Sequence, residues 1–160
     1  MAVYLNSVKS PSESHTLKEF ISTGKSSSSK VSYRDLSYIE NRDNMEFVVK
    51  NTLSDYLYEL KKMAYNVTLT DDDYTKYRYN PKRLAYDLYG TTLVYYIILL
   101  MNDMCDVHQF SLKSRKLILL SRSQMSDAIS SIYKSDATNI SRFNNAHEDD
   151  VIRHPIEKYR

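Results

Sequence analysis

Nine consecutive apolar residues, Leu93 to Met101, constrain the fold of this chain more than any other feature of its sequence. A helix that crosses a bilayer needs about 20 apolar residues, so this run is too short to span a membrane. A helix that is apolar on every side must be covered on every side. We therefore expect Leu93–Met101 to be the buried core helix of a small module.

The residues before this run predict a first, separately capped helix. Asn80 is a good N-cap, and Pro81 suits the first helical position, where its missing N–H leaves no hydrogen bond unmade. Gly90 suits a left-handed C-cap, and Thr91 or Thr92 can then cap the second helix. The apolar face of the first helix consists of Leu84, Ala85, Leu88 and Tyr89.

Weaker patterns predict the flanking elements. The spacing of Leu53, Leu57, Leu60 and Ala64 favours a helix over Thr52–Ala64. Val67–Leu69 resembles a strand, and Asp71–Asp73 resembles a solvated turn. The tyrosines after this turn resemble an aromatic edge that leads into another short strand. Lys116–Leu120 resembles a buried strand.

These elements predict an α+β fold in which strand, helix, helix and strand follow one another between Tyr77 and Leu120. After that strand, Ser121 or Ser123 caps a last amphipathic helix that carries Met125, Ile129, Ile132 and Tyr133. We expect four segments: a flexible N-terminal arm (1–32), a helical or extended segment (33–66), the core module with its following helix (67–134), and an extended C-terminal tail (135–160). Because residues 1–30 and 135–160 are rich in polar side chains, we expect them to be ordered only when they bury surface on partners.

The segment NPKRLAYDLYGTTLVYYIILLMND, from Asn80 to Asp103, resembles the core of the baseplate wedge proteins of T4-like contractile-tailed bacteriophages, which carry a LysM-like module. In that family a proline opens a helix reading L-A-x-x-x-Y-G, and an aromatic pair and an aliphatic run then end in Asn-Asp. The matching, fold-defining positions are Pro81, Leu84, Ala85, Tyr89, Gly90, Tyr95, Tyr96, Leu99, Leu100, Asn102 and Asp103.

This resemblance implies a structural, non-enzymatic subunit of the virion tail baseplate, made in the host cytoplasm. It would join neighbouring wedge and hub proteins, in several copies around the tail axis. An alternative is a LysM module that binds peptidoglycan for a cell-wall enzyme, with residues around Asn80 or Asn102 lining the sugar site. The usual glycines of such a module's opening and closing turns are replaced here.

Composition argues against several other functions. The net charge of +2, from 22 basic and 20 acidic residues, gives no electrostatic footprint for nucleic acid. With two glycines, the chain lacks the glycine-rich loop that binds phosphate. Its one cysteine cannot form an internal disulfide and does not supply the paired cysteines of a zinc site. The N-terminus lacks the pattern of a signal peptide. We expect no cofactor, no metal, no membrane and no small-molecule substrate.

Two clusters could suggest chemistry. Asp71–Asp73 lacks the glycine and the closing glutamate of a calcium loop. Cys105 and His108 lie close in sequence, and a small thiol enzyme is a third, weaker hypothesis, since catalytic Cys–His pairs usually come from separate elements. His15, His147, His154 and the carboxylates of Glu148–Asp150 fall in the expected arms, where preorganised catalysis is not expected.

Tyrosine is the remaining signal, at 15 of 160 residues. Its large, stiff and amphipathic side chain suits protein interfaces, although it also serves cores and sheet edges. The candidates for partner contacts lie just before the module: Tyr56, Tyr58, Tyr74, Tyr77 and Tyr79.

Overall fold

The computed structural model describes residues 14–24 and 31–153, with side chains over 15–22 and 31–145. The strands are β1 (Ser14–Thr16), β2 (Ser37–Arg42), β3 (Met45–Asn51), β4 (Tyr65–Thr68) and β5 (Lys116–Leu119). The α-helices are α1 (Leu17–Gly24), α2 (Leu57–Met63), α3 (Asp71–Tyr77), α4 (Pro81–Tyr89), α5 (Tyr95–Met101) and α6 (Arg122–Arg153). Short 3₁₀ turns cover Tyr33–Leu36, Thr52–Tyr56 and Val107–Gln109.

The described strands form two separate sheets. In the first, β4 lies between a parallel β1 and an antiparallel β5. The second is the antiparallel hairpin of β2 and β3. With the helices packed around these small sheets, the predicted α+β class is confirmed.

The core forms around α5, as the apolar run predicts. Ile97, Ile98, Leu99 and Met101 are all buried. The helix begins two residues later than predicted because a turn from the Tyr95 N–H to the carbonyl of Thr92 comes first. Leu93 therefore lies outside the helix and is 52% exposed, so the run is covered along most of its length but not all of it.

The caps predicted for α4 are present. The Asn80 side chain accepts a hydrogen bond from the Arg83 N–H at 3.2 Å, and Gly90 ends the helix with a φ of 75°. Thr91 Oγ1 accepts from the Leu93 N–H at 3.2 Å and stabilises the link to α5. These local signals fix the turn between the two helices.

The turn and strand predicted around Asp71–Tyr79 are wrong, because Asp71–Tyr77 is the helix α3. Thr70 Oγ1 accepts from the Asp73 N–H at 3.2 Å, and Asp73 Oδ2 accepts from the Thr70 N–H at 2.9 Å. This reciprocal cap, with three aspartates in the first turn, stabilises a helix start. The segment between β4 and β5 thus holds three helices, and its opening strand is β4.

The two arms also differ from expectation where they are described. Residues 135–153 continue α6 and are not extended, and Ile140 within them is buried. Residues 14–24 form β1 and α1, whose Leu17 and Phe20 are buried in the core. The apolar residues of α6 are sparse, yet Ile129, Ile132 and Ile140 keep helical spacing and hold one face against the rest of the protein. Among the described residues, no helix combines the length and apolarity needed to cross a membrane.

Candidate protein interface

The outer strand of the hairpin, β3, exposes large apolar side chains. The side chains of Met45, Phe47, Val48 and Val49 are between 43% and 59% exposed. Apolar side chains that stand singly on a surface are ordinary, but four within five residues make both faces of this strand apolar. We call these four residues the β3 patch.

Helix α6 closes the opposite edge of the hairpin. The Ile39 N–H donates to Asn144 Oδ1 at 2.8 Å, and Asn144 Nδ2 donates to the carbonyl of Ser37 at 3.2 Å. One side chain of α6 thereby satisfies backbone groups of β2 that would otherwise be open to pairing.

A second contact ties the hairpin to α6. The Tyr38 hydroxyl donates to Asp136 Oδ2 at 2.8 Å, and the Tyr38 ring meets Phe143 edge-on at 5.3 Å between centroids. Burial, reinforced by the hydrogen bond to Asp136, raises the pKa of Tyr38 to about 12. The hydroxyl therefore stays protonated and keeps donating at neutral pH.

In the other sheet, the outer edge of β5 is closed by Asn102. Asn102 Oδ1 accepts from the Ile118 N–H at 2.7 Å, and Asn102 Nδ2 donates to the Ile118 carbonyl at 3.0 Å. The same amide group also donates to the Ile98 carbonyl at 2.8 Å. The side chain of Asn102 thus pairs with β5 much as a neighbouring strand would.

Within the described part of the chain, no side chain hydrogen-bonds along the outer edge of β3 in this way. There β3 pairs only with β2, leaving its other edge without a strand neighbour. The register shifts opposite Tyr38 and Ile39, which places Val49 in a bulge. A seven-residue edge strand with apolar side chains is suited to pairing with another chain.

The charges around the β3 patch largely compensate one another. Arg34 pairs with Glu46, Lys50 Nζ lies 3.1 Å from Asp55 Oδ2, and Arg42 lies 2.8 Å from Glu40. Exposed pairs of this kind contribute about 0–1 kcal/mol each. The patch therefore presents apolar surface without a dominant charge.

The five tyrosines predicted for partner contacts lie in different environments. Tyr77 is buried, and its hydroxyl donates to Asp87 Oδ2 at 2.6 Å, so it serves the core and not a surface. Burial raises the pKa of Tyr77 well above the usual tyrosine range. Tyr56 and Tyr74 are partly buried against the core, whereas Tyr58 and Tyr79 are exposed. The structure does not gather these five into one surface.

The motif residues of the resemblance serve packing and hydrogen bonding. Tyr89 donates its hydroxyl to the Leu120 carbonyl at 2.7 Å, and burial raises the pKa of Tyr89 well above its usual value. The Tyr96 hydroxyl bonds to that of Tyr33, and Asp103 Oδ1 accepts from Lys61 Nζ at 2.6 Å. Of the remaining motif positions, Pro81, Leu84, Ala85 and Leu99 are buried, while Tyr95 and Leu100 are half-buried.

The residues named for the other hypotheses have different surroundings. The side-chain oxygen of Asn80 caps α4, and the Asn102 amide bonds to β5, so both side chains serve the fold. Cys105 is exposed and the His108 side chain is 96% exposed, so neither is held by burial. His15 is buried in β1 with its ring edge-on to Tyr65 at 4.9 Å. His147, His154 and Glu148–Asp150 lie outside the residues whose side chains are described.

The β3 patch was not among the residues predicted for partner contacts, although a sequence signal for it exists. Asp43 and Asn44 separate the two strands, and both have positive φ, 52° and 63°. Two-residue hairpin turns require such angles, and Asp and Asn tolerate them. An Asp-Asn pair between two segments that carry aromatic and β-branched residues therefore predicts this hairpin.

Comparison with protein families matches residues 30–125 to the family described as base plate wedge protein 53. No curated protein and no solved structure matches the chain. The matched residues, more than half of the 160, begin just before Val31 and end in the first turns of α6. They include the β3 patch and every motif position from Pro81 to Asp103. The chain therefore belongs to the base plate wedge protein 53 family and is a structural protein of the bacteriophage tail baseplate.

Proposed function

We propose that this subunit joins neighbouring wedge and hub proteins of the baseplate by protein–protein contacts, without catalysis, and that the β3 patch carries the principal contact. The observation behind this proposal is the outer edge of β3, which no described strand pairs, with its four exposed apolar side chains. An edge strand of this kind can accept a strand from a partner, with main-chain hydrogen bonds giving affinity and side chains giving specificity.

The contrast between the strand edges supports this role. Asn144 closes β2 and Asn102 closes β5, whereas within the described residues nothing closes the outer edge of β3, and its apolar side chains are exposed. Open apolar edges favour aggregation, so proteins usually cover or charge them. We infer that the edge of β3 is covered in the assembled baseplate.

The remaining elements would hold this contact in position. Within this proposal, residues 33–66 present the contact and residues 67–134, the predicted LysM-like module, serve as the scaffold. Tyr38 and Asn144 link the two by fixing the hairpin to α6.

Phe47→Ser tests the proposal, with Tyr86→Ser as the matched control. Both aromatic side chains are exposed, but Tyr86 lies on α4, away from the hairpin. Loss of a central apolar anchor at an interface costs about 2 kcal/mol or more, which weakens binding at least tenfold. Each variant is expressed in phage-infected cells whose own copy is inactivated, and purified baseplates are assayed for the subunit.

The expected result is that the Phe47 variant folds with unchanged thermal stability but is depleted at least tenfold from baseplates, whereas the Tyr86 variant is incorporated normally. Normal incorporation of a folded Phe47→Ser subunit would overturn the assignment of the principal contact to β3.

A further inference from the structure

A cavity of about 220 Å³ lies where three parts of the chain meet. These parts are the residues that lead into the Tyr33–Leu36 turn, the link between α4 and α5, and the first turns of α6. Besides Arg122, its lining combines two tyrosines and three smaller hydroxyl-bearing residues with five apolar ones, Val31, Leu93, Val94, Met125 and Ile129. Among its lining residues, only Arg122 carries a formal charge.

Among the residues whose side chains are described, 15–22 and 31–145, the guanidinium of Arg122 has no acidic partner. It makes no hydrogen bond or ion pair with any of them, although Arg122 is half-buried. Three of the other six arginines whose side chains are described behave differently: Arg34, Arg42 and Arg115 each pair with a carboxylate. A partly buried cation without a counter-charge loses hydration and gains no compensating contact.

Packing holds Arg122 where it lies. A methyl group placed on Gly90 would come within 3.0 Å of Arg122 Nη2, so the guanidinium lies directly against this glycine. Arg122 is also the first residue of α6, where the positive end of the helix dipole disfavours a cation and favours an anion. The position therefore leaves an oriented positive charge beside an apolar cavity.

We propose that this cavity binds an acidic side chain, together with an adjoining aliphatic residue, from a neighbouring baseplate protein. The guanidinium can hold one carboxylate through two parallel hydrogen bonds, and the apolar walls can bury the aliphatic neighbour. This contact rests on the proposed function, because it is a second attachment of the same subunit to its neighbours.

The size and charge of the cavity favour this occupant over others. Its volume is below the roughly 300–1,000 Å³ of typical small-molecule sites and suits one or two side chains. A phosphate group carries more charge than a single guanidinium neutralises, and the lining holds no other cation. One carboxylate balances one arginine.

The test uses two acetylated, amidated dipeptides, Leu-Glu and Leu-Gln, which differ only in the carboxylate. Each is titrated into the isotope-labelled full chain, and backbone amide shifts of Val94, Arg122 and Ser126 are followed by NMR. We expect saturable shifts with Leu-Glu in the millimolar range, at least fivefold weaker binding of Leu-Gln, and weaker Leu-Glu binding at high salt. Inorganic phosphate is titrated in parallel.

Two variants separate the charge effect from a loss of structure. Arg122→Met keeps the apolar stem and should bind the two peptides equally, while Arg142→Met, an exposed position on the same helix, should keep the preference for Leu-Glu. Equal binding of both peptides to the unaltered chain, absence of binding, or stronger shifts with phosphate would each overturn the proposal. These measurements need no partner protein. They can therefore overturn the cavity contact while baseplate incorporation supports the β3 contact, or support the cavity contact while incorporation overturns the β3 contact.

Discussion

At the scale of single residues, Asn102 shows how one side chain can take the place of a strand. Its amide bonds to both backbone groups of Ile118 and to the Ile98 carbonyl. Replacing it with alanine should lower the free energy of unfolding by about 1–3 kcal/mol, because these backbone groups lose their partners. Thermal or urea unfolding of Asn102→Ala measures the loss.

Asn145→Ala is the control for this substitution, since Asn145 is exposed on α6. We expect its effect to stay within about 0.5 kcal/mol. A stability of Asn102→Ala equal to that of the control would show that water replaces the amide at no cost.

Residue-scale signals were predictable where they are local in sequence. Asn80, Pro81 and Gly90 take the capping positions that their chemistry suggests, because a cap depends on the backbone within a few residues. The role of Asn102 depends on Ile118, sixteen residues away, and no local pattern indicates it. The cap from Thr70 to Asp73 was local and could have been recognised as a helix start.

At the scale of elements, α5 carries the core, and Leu99 within it is buried. Leu99→Asp should unfold the protein, because an unpaired carboxylate in this position costs several kcal/mol out of a typical total of 5–15 kcal/mol. Circular dichroism and thermal unfolding detect the loss.

Lys82→Glu serves as the contrast, because Lys82 is exposed on α4 and the change should leave the melting temperature nearly unaltered. If Leu99→Asp melts at the temperature of the unaltered chain, α5 is not a core helix.

Helix α6 allows a second test at this scale. A chain that ends after Lys134 loses Asp136 and Asn144, which hold β2, whereas a chain that ends after Asn145 keeps them. In hydrogen exchange, the shorter chain should lose protection of the amides in β2 and the longer one should keep it. Equal protection of β2 in the two chains would mean that the hairpin does not depend on α6.

The elements differed in how well the sequence predicted them. The helices α4 and α5 and the strand β5 have dense apolar patterns, and they lie within two residues of their predicted positions. Beyond residue 134, α6 has only occasional apolar residues, and its contacts come from a hairpin almost a hundred residues earlier. Such long-range packing gives little sign in the local sequence.

At the scale of the whole molecule, the core extends beyond the residues matched to the family. Leu17 and Phe20 of α1, with Ile132 and Ile140 of α6, are buried although they lie outside residues 30–125. The scaffold therefore uses both ends of the described chain, and the two contacts that we propose on it are the β3 patch and the cavity beside Arg122. The fold class was predictable from patterns, and Asp43–Asn44 signals the hairpin, but the exposure of the β3 side chains was not predictable, because exposure is a property of the folded molecule.

We infer that the open edge of β3 becomes paired in the baseplate. Hydrogen exchange followed by mass spectrometry measures this directly on peptides that cover Met45–Val49, in the free subunit and in purified baseplates. Amides that β3 donates to β2 are slow in both states, so we predict partial protection of these peptides in the free subunit and a clear gain of protection in the baseplate, with peptides from α5 protected in both. Equal exchange at Met45–Val49 in the two states would contradict this pairing.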